Sequence, residues 1–182
     1  MKFIYTILFT ISLSLFSETV IYTSGFIDVN SGTIKKNYSI TVNNKIITSI
    51  DKGFIDIEKD DVLLDLRGKT LMPGLMDMHV HFGGDSLKAE NKMLLPLYMA
   101  MGIGHVRDCA GDISLDVIEW KNEIANGTLL GPTIFTSGPK LEGINSIWPG
   151  DLEISNETEL TTALDSLQKL KVDFIKITDN TL

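Results

Sequence analysis

The stretch Leu71-Met-Pro-Gly-Leu-Met-Asp-Met-His-Val-His-Phe82 decides how the rest of the chain is read. Its apolar residues form a strand, and side chains two apart on a strand point to one face. His79 and His81 therefore converge on one point, with Asp77 in the same phase one step deeper. Imidazole is the commonest metal-binding side chain near neutral pH. Two of them on rigid backbone make half of a preorganised Zn²⁺ site.

Upstream of this stretch the pattern is short β segments divided by turns. Thr19 to Phe26, Tyr38 to Val42, Ile46 to Ile50 and Val62 to Leu66 are rich in Val, Ile, Tyr and Thr, with Ser31-Gly32 and Asn43-Asn44 between them. Downstream the apolar period changes from two to about 3.6. Ser86 to Met101 reads as an amphipathic helix that Pro96 should bend or interrupt. Gly104 to Asp108 reads as a second strand, Leu115 to Asn126 as a second helix closed by Gly127, and Gly131 to Gly138 as a third strand. A long loop, Pro139 to Ser155, leads to a helix that Asn156 caps with Glu159 three residues on. Val172 to Ile177 reads as a fourth strand, buried on both faces. Strands alternating with helices at this spacing predict βαβ units and a parallel sheet. Four strands and three helices make half of an eight-stranded barrel.

Pro73-Gly-Leu-Met-Asp-Met-His-Val-His81, approached through Asp65-Leu-Arg-Gly-Lys-Thr-Leu-Met-Pro-Gly74, resembles the first-strand signature of the amidohydrolase superfamily. The branch it is most similar to is imidazolonepropionase-like and dipeptidase-like. The resemblance implies a (β/α)₈ TIM barrel carrying one or two divalent metal ions, Zn²⁺ foremost, and preceded by a small β-sandwich. It also implies that Lys176, in Val172-Asp-Phe-Ile-Lys-Ile177, takes up CO₂ to become a carbamate that bridges two metals. Lys176 independently invites such a reading, because an ammonium in an apolar strand is costly unless paired or chemically altered. The alternative is a lysine at the strand end whose head reaches solvent.

The expected domains are a signal peptide at 1–17, a partial β-sandwich at 18–70 and the first half of a hydrolase barrel at 71–182. A complete barrel takes about 250 residues, and this chain has 182. The activity the resemblance implies is hydrolysis of carbon–nitrogen bonds in a cyclic amide or peptide-like substrate, by a metal-bound hydroxide. In the family, further histidines follow strands five and six, and an Asp after strand eight shuttles the proton. No such positions precede Leu182, so this chain by itself is expected to be inactive. Two other readings stand beside it. One is a mononuclear, deaminase-like amidohydrolase in which Lys176 is not a ligand; the other is an exported binding module without catalysis.

Other candidates lie on the strand ends. Arg107 and Asp108 finish the second strand, on the face where barrel active sites form. They either serve the substrate and the metal ligands or form a structural ion pair. Trp148 lies in the long loop and either lines the pocket or pins its own loop. His105 reads as a packed, structural histidine.

The formal net charge is −8, and no lysine- or arginine-rich run occurs, which argues against nucleic-acid partners. The expected partner is a small-molecule or peptide substrate. Two copies pairing to close the open sheet would make a homo-oligomer. Met1 to Ser17 has a basic start, a short apolar core and small residues at its end, as an export signal does. The run is too short to span a bilayer comfortably, and no cysteine follows it to carry a lipid. The chain is therefore expected to be exported, with no stable membrane anchor after cleavage. Cys109 is the single cysteine, so no internal disulfide forms; a small packed side chain is expected there.

Overall fold

The computed structural model describes residues 17–178. All of the expected signal but Ser17 lies outside the described residues. Among those described, no helix is long and apolar enough to cross a membrane. The chain divides into two compact units, one ending at Pro73 and the other starting at Gly74.

The first unit is one four-stranded sheet built from β1 (Thr19–Asp28), β2 (Thr33–Asn43), β3 (Ile46–Lys52) and β4 (Val62–Leu71), in the order β3-β2-β1-β4. β2 runs antiparallel to both β1 and β3, while β4 lies parallel to β1. The register puts Ile21 opposite Ile40 and Leu64, and Ile40 opposite Ile50, so one apolar row crosses the sheet. A register shift between Thr23 and Gly25 bends β1. Gly25 is required there, since a Cβ would stand 2.9 Å from Ile34 Cγ2. All four strands outrun the sequence expectation at one end or both. A ladder extends through polar residues such as Lys35, Lys36 and Arg67 once neighbours supply the backbone partners.

The second unit is mixed α/β. Its parallel sheet, in the order β5-β6-β7, is formed by β5 (Leu75–Val80), β6 (Ile103–Asp108) and β7 (Thr133–Thr136). α1 (Lys88–Ala100) connects β5 to β6, and α2 (Ser114–Ala125) connects β6 to β7. Val80, Phe82, Leu95, Val106, Val117, Trp120 and Ile134 form the core between sheet and helices. Burying one such side chain stabilises by about 1.5–3 kcal/mol. α1 continues through Pro96 without interruption. Proline removes one hydrogen bond from the helix, and the fully buried Leu95 beside it holds the turn in the core.

The loop expected between Pro139 and Ser155 carries structure of its own. β8 (Leu141–Glu142) and β9 (Leu152–Glu153) pair in parallel, and with α3 (Glu157–Leu170) they bury Leu141, Ile154, Ala163 and Leu167. The Asn156 cap is made as the spacing predicts. Its Oδ1 accepts the Glu159 N–H at 3.0 Å, and the Glu159 carboxylate accepts from the Ser155 N–H and hydroxyl.

Val172 to Ile177 does not form the expected ladder strand. The Asp173 N–H donates to Thr136 O at 2.9 Å, the Leu141 N–H donates to Lys176 O at 2.8 Å, and Ile177 makes a single bridge to Leu141. Nor is the segment buried on both faces, for Ile175 and Ile177 are half exposed. Its apolar run is real, but a strand exists only where partners stand at regular intervals. Here they stand at the two ends of the segment.

Candidate metal centre

β5 ends at Val80, so His79 lies on the strand and His81 just beyond it. Their rings meet: Nε2 of His79 stands 3.0 Å from Nε2 of His81, with ring centroids 5.0 Å apart. His81 is oriented from behind, its Nδ1–H donating to the carbonyl of Ala110 at 2.6 Å. A carbonyl oxygen can only accept, so the proton is on Nδ1 and the Nε2 lone pair faces His79. Two nitrogens at that separation can both reach one ion about 2.0–2.1 Å away, the Zn–N distance. The pair therefore fits a divalent metal. Among the described residues no three of His, Cys, Asp or Glu gather closely enough to hold an ion by themselves.

Asp77 does not share this face in the expected way. A register shift between Asp77 and Val80 breaks the two-residue phase. Asp77 lies opposite Val106 and close enough to Tyr98 of α1 to help burial push that phenol's pKa up. Its Oδ1 accepts the His79 N–H at 3.2 Å, so it braces the histidine's backbone.

A cavity of about 660 Å³ opens beside His81. Lys176, Thr178, Asp112, Lys140, Trp148 and Asp151 are among its lining residues. The structure thus brings Lys176 and Trp148 to the cavity that His81 lines. Trp148 is among the residues that line the cavity. Its backbone N–H, not its indole, donates to Ser146 Oγ at 3.1 Å.

Arg107 and Asp108 do not form an ion pair, because neighbours along a strand point to opposite faces. Asp108 is fully buried. Its carboxylate accepts the Phe82 N–H at 3.2 Å and the Thr136 hydroxyl at 2.8 Å, tying together the ends of all three parallel strands. Burial holds its carboxyl above the ordinary aspartate range, against those two hydrogen bonds and the nearby His81. The Arg107 guanidinium lies 5.1 Å from the Phe174 ring. His105 stacks on Phe135 with centroids 6.3 Å apart. His105 Nδ1 and Arg107 Nε are buried without a hydrogen-bond partner among the described residues.

Sequence reasoning missed a buried charge cluster at the cavity wall. Lys140 Nζ lies 2.5 Å from Glu142 Oε2 and 3.1 Å from Asp151 Oδ2, and 5.7 Å from the Trp148 ring centre. A signal for it was present. Lys140-Leu-Glu142 and Asp151-Leu-Glu153 repeat one charged-apolar-charged pattern, and these are the segments that pair as β8 and β9. Asp112, also missed, accepts the N–H groups of Gly84 and Asp85 at 2.6 and 3.1 Å and so fixes the loop after His81.

No family model matches the chain. Ochratoxinase from Aspergillus niger is 28% identical over 146 residues, covering 68% of this chain and 28% of that protein. The solved structure of a Xaa-Pro dipeptidase with methionine in its active site superposes with a TM-score of 0.73 at 26% identity. It covers 88% of this chain and 47% of that one. A solved amidohydrolase superposes at 0.71 with 20% identity, over 88% of this chain and 46% of its own. The solved structures that the chain is similar to are amidohydrolase-superfamily proteins. The chain spans about half the length of the solved relatives it matches, and about a quarter of the curated one.

Proposed function

We propose that the chain carries the first ligands of a metal-dependent hydrolase that cleaves a carbon–nitrogen bond in an amide or peptide-like substrate. The residues from Gly74 onward would be the first half of a (β/α)₈ barrel, and the sheet before them part of a β-sandwich. The 3.0 Å approach of the two imidazole Nε2 atoms carries this reading. It is supported by the likeness to ochratoxinase and to a Xaa-Pro dipeptidase, the second of which is named for cleaving a peptide bond.

His79 and His81 would hold a divalent cation, Zn²⁺ foremost, with Lys176 as a carbamate bridging to a second one. When bound, such an ion lowers the pKa of water to near neutrality and polarises a carbonyl. The chain's own residues do the rest. Ala110 O orients His81, Asp77 braces His79, and Asp108 ties the three strand ends beneath the pair. Trp148 offers an apolar wall to the substrate and narrows the access of water.

A second reading rests on a specific observation. The two imidazole Nε2 atoms meet each other, so a single ion on the two histidines, without Lys176, is the mononuclear alternative. Metal content of the purified protein separates the two. His79→Ala and His81→Ala should each lose metal while far-UV circular dichroism stays near wild type. Lys176→Ala should lower two equivalents towards one, and Lys176→Arg should match it, because a guanidinium keeps its charge and does not form a carbamate. One equivalent in both wild type and Lys176→Ala selects the mononuclear site. Wild-type protein that takes up no zinc at neutral pH would refute the metal reading altogether.

A further inference from the structure

We infer that Ala110 is a positioning residue whose carbonyl, turned by a left-handed backbone onto His81 Nδ1, fixes the tautomer that presents Nε2 to a metal. The inference rests on the metal reading for its purpose, but its geometry is independent of it. Ala110 has φ of +76°, a region that residues with a Cβ seldom occupy and that persists only where surroundings impose it. The surroundings do impose it. Cys109 N–H donates to Val80 O at 2.8 Å, so the chain leaves β6 locked to the end of β5. One residue on, Gly111 passes so close to Phe82 that a Cβ would stand 2.0 Å from its carbonyl oxygen. Ser114 Oγ then closes the turn by donating to Gly111 O at 2.7 Å.

Between these fixed points a right-handed Ala110 would swing its peptide away from His81. The left-handed conformation aims the carbonyl at Nδ1 instead, 2.6 Å away. Ligating histidines commonly anchor the second ring nitrogen on a carbonyl or carboxylate, which fixes the tautomer and ring orientation. The anchoring is one-sided. The His79 ring has His81 as its hydrogen-bonding partner and no such anchor among the described residues. His81 is thus the preset member of the pair.

Nitrogen-resolved NMR of metal-stripped protein, at a pH where the rings are neutral, tests this directly. His81 should be held as the Nδ1–H tautomer, the reverse of the Nε2–H form that free histidine prefers. Ala110→Pro, with φ locked at about −65°, removes the carbonyl from its position. In that variant His81 should revert to Nε2–H, and zinc affinity read by chelator competition should fall about 10- to 100-fold. Circular dichroism establishes that the variant is folded; if it is not, the wild-type tautomer decides. A wild-type His81 that is Nε2–H or mixed overturns the inference, even where zinc binds. A fixed Nδ1–H tautomer in a protein that binds no zinc sustains the brace and sinks the metal reading.

Discussion

Replacing Lys140 with methionine should destabilise the unit that starts at Gly74 by about 3–5 kcal/mol, the cost of breaking a buried ion pair from one side. The side chains of Lys140, Glu142 and Asp151 are 10%, 9% and 5% exposed, so water does little to screen them. Lys140 Nζ contributes two charge-assisted hydrogen bonds, each worth about 1.5–3 kcal/mol, which gives a sum of the same size. Methionine keeps most of the stem volume, so the loss is electrostatic rather than a cavity. The assay is urea unfolding followed by circular dichroism. The triple variant Lys140→Met/Glu142→Met/Asp151→Leu should regain most of the loss, since replacing a whole buried ion cluster by apolar residues is often near neutral. The effect also has a pH signature. Burial alone would lower the Lys140 pKa, but its bonds to Glu142 and Asp151 outweigh burial and raise it above the ordinary 10.5. The stabilisation is therefore full below pH 10.5 and fades as the pH rises through the folded-state value, where wild type and Lys140→Met should converge. A Lys140→Met variant within about 1 kcal/mol of wild type at pH 7, the range of an exposed pair, would refute this reasoning.

Two further outcomes follow from backbone and cap geometry. Gly111→Ala should abolish the fold of the second unit or cost several kcal/mol, because its Cβ would collide with Phe82 O, whereas Gly104→Ala, with open space around it, should leave the urea midpoint nearly unchanged. Asn156→Ala should cost about 1 kcal/mol by removing the acceptor of the Glu159 N–H; an unchanged midpoint would mean that the α3 cap is redundant.

What was legible in the sequence is what depends on local pattern. Segments rich in Val, Ile, Tyr and Thr located β1 to β4, the stretch around His79 located β5, and short runs between the helical patterns located β6 and β7. Asn156 and Glu159 located the start of α3, and the spacing of His79 and His81 located a convergence that the structure contains. What was not legible depends on neighbours remote in sequence. The phase of Asp77 fails at a register shift, which arises from pairing with β6 and leaves no mark in Leu75 to Val80. Val172 to Ile177 has the composition of a strand, but its backbone partners are Thr136 and Leu141, and only the folded chain reveals that they stand at its two ends. The Lys140 cluster joins charges two and eleven residues apart, and the eleven-residue link exists only once β8 pairs with β9. Ala110 looked unremarkable because nothing in an alanine announces a left-handed backbone.

The single thiol has a practical consequence. Cys109 is completely buried, hydrogen-bonded through Sγ to Arg107 O, and immediately precedes the turn that orients His81. A thiol reagent can reach it only when that turn or the core around it opens. With no competing cysteine in the chain, the labelling rate divided by that of a free thiol measures the opening equilibrium at this one place. The protein thus carries a site-specific clock for the opening of the turn that orients His81. Zinc that binds the closed form alone should slow that clock in proportion to occupancy.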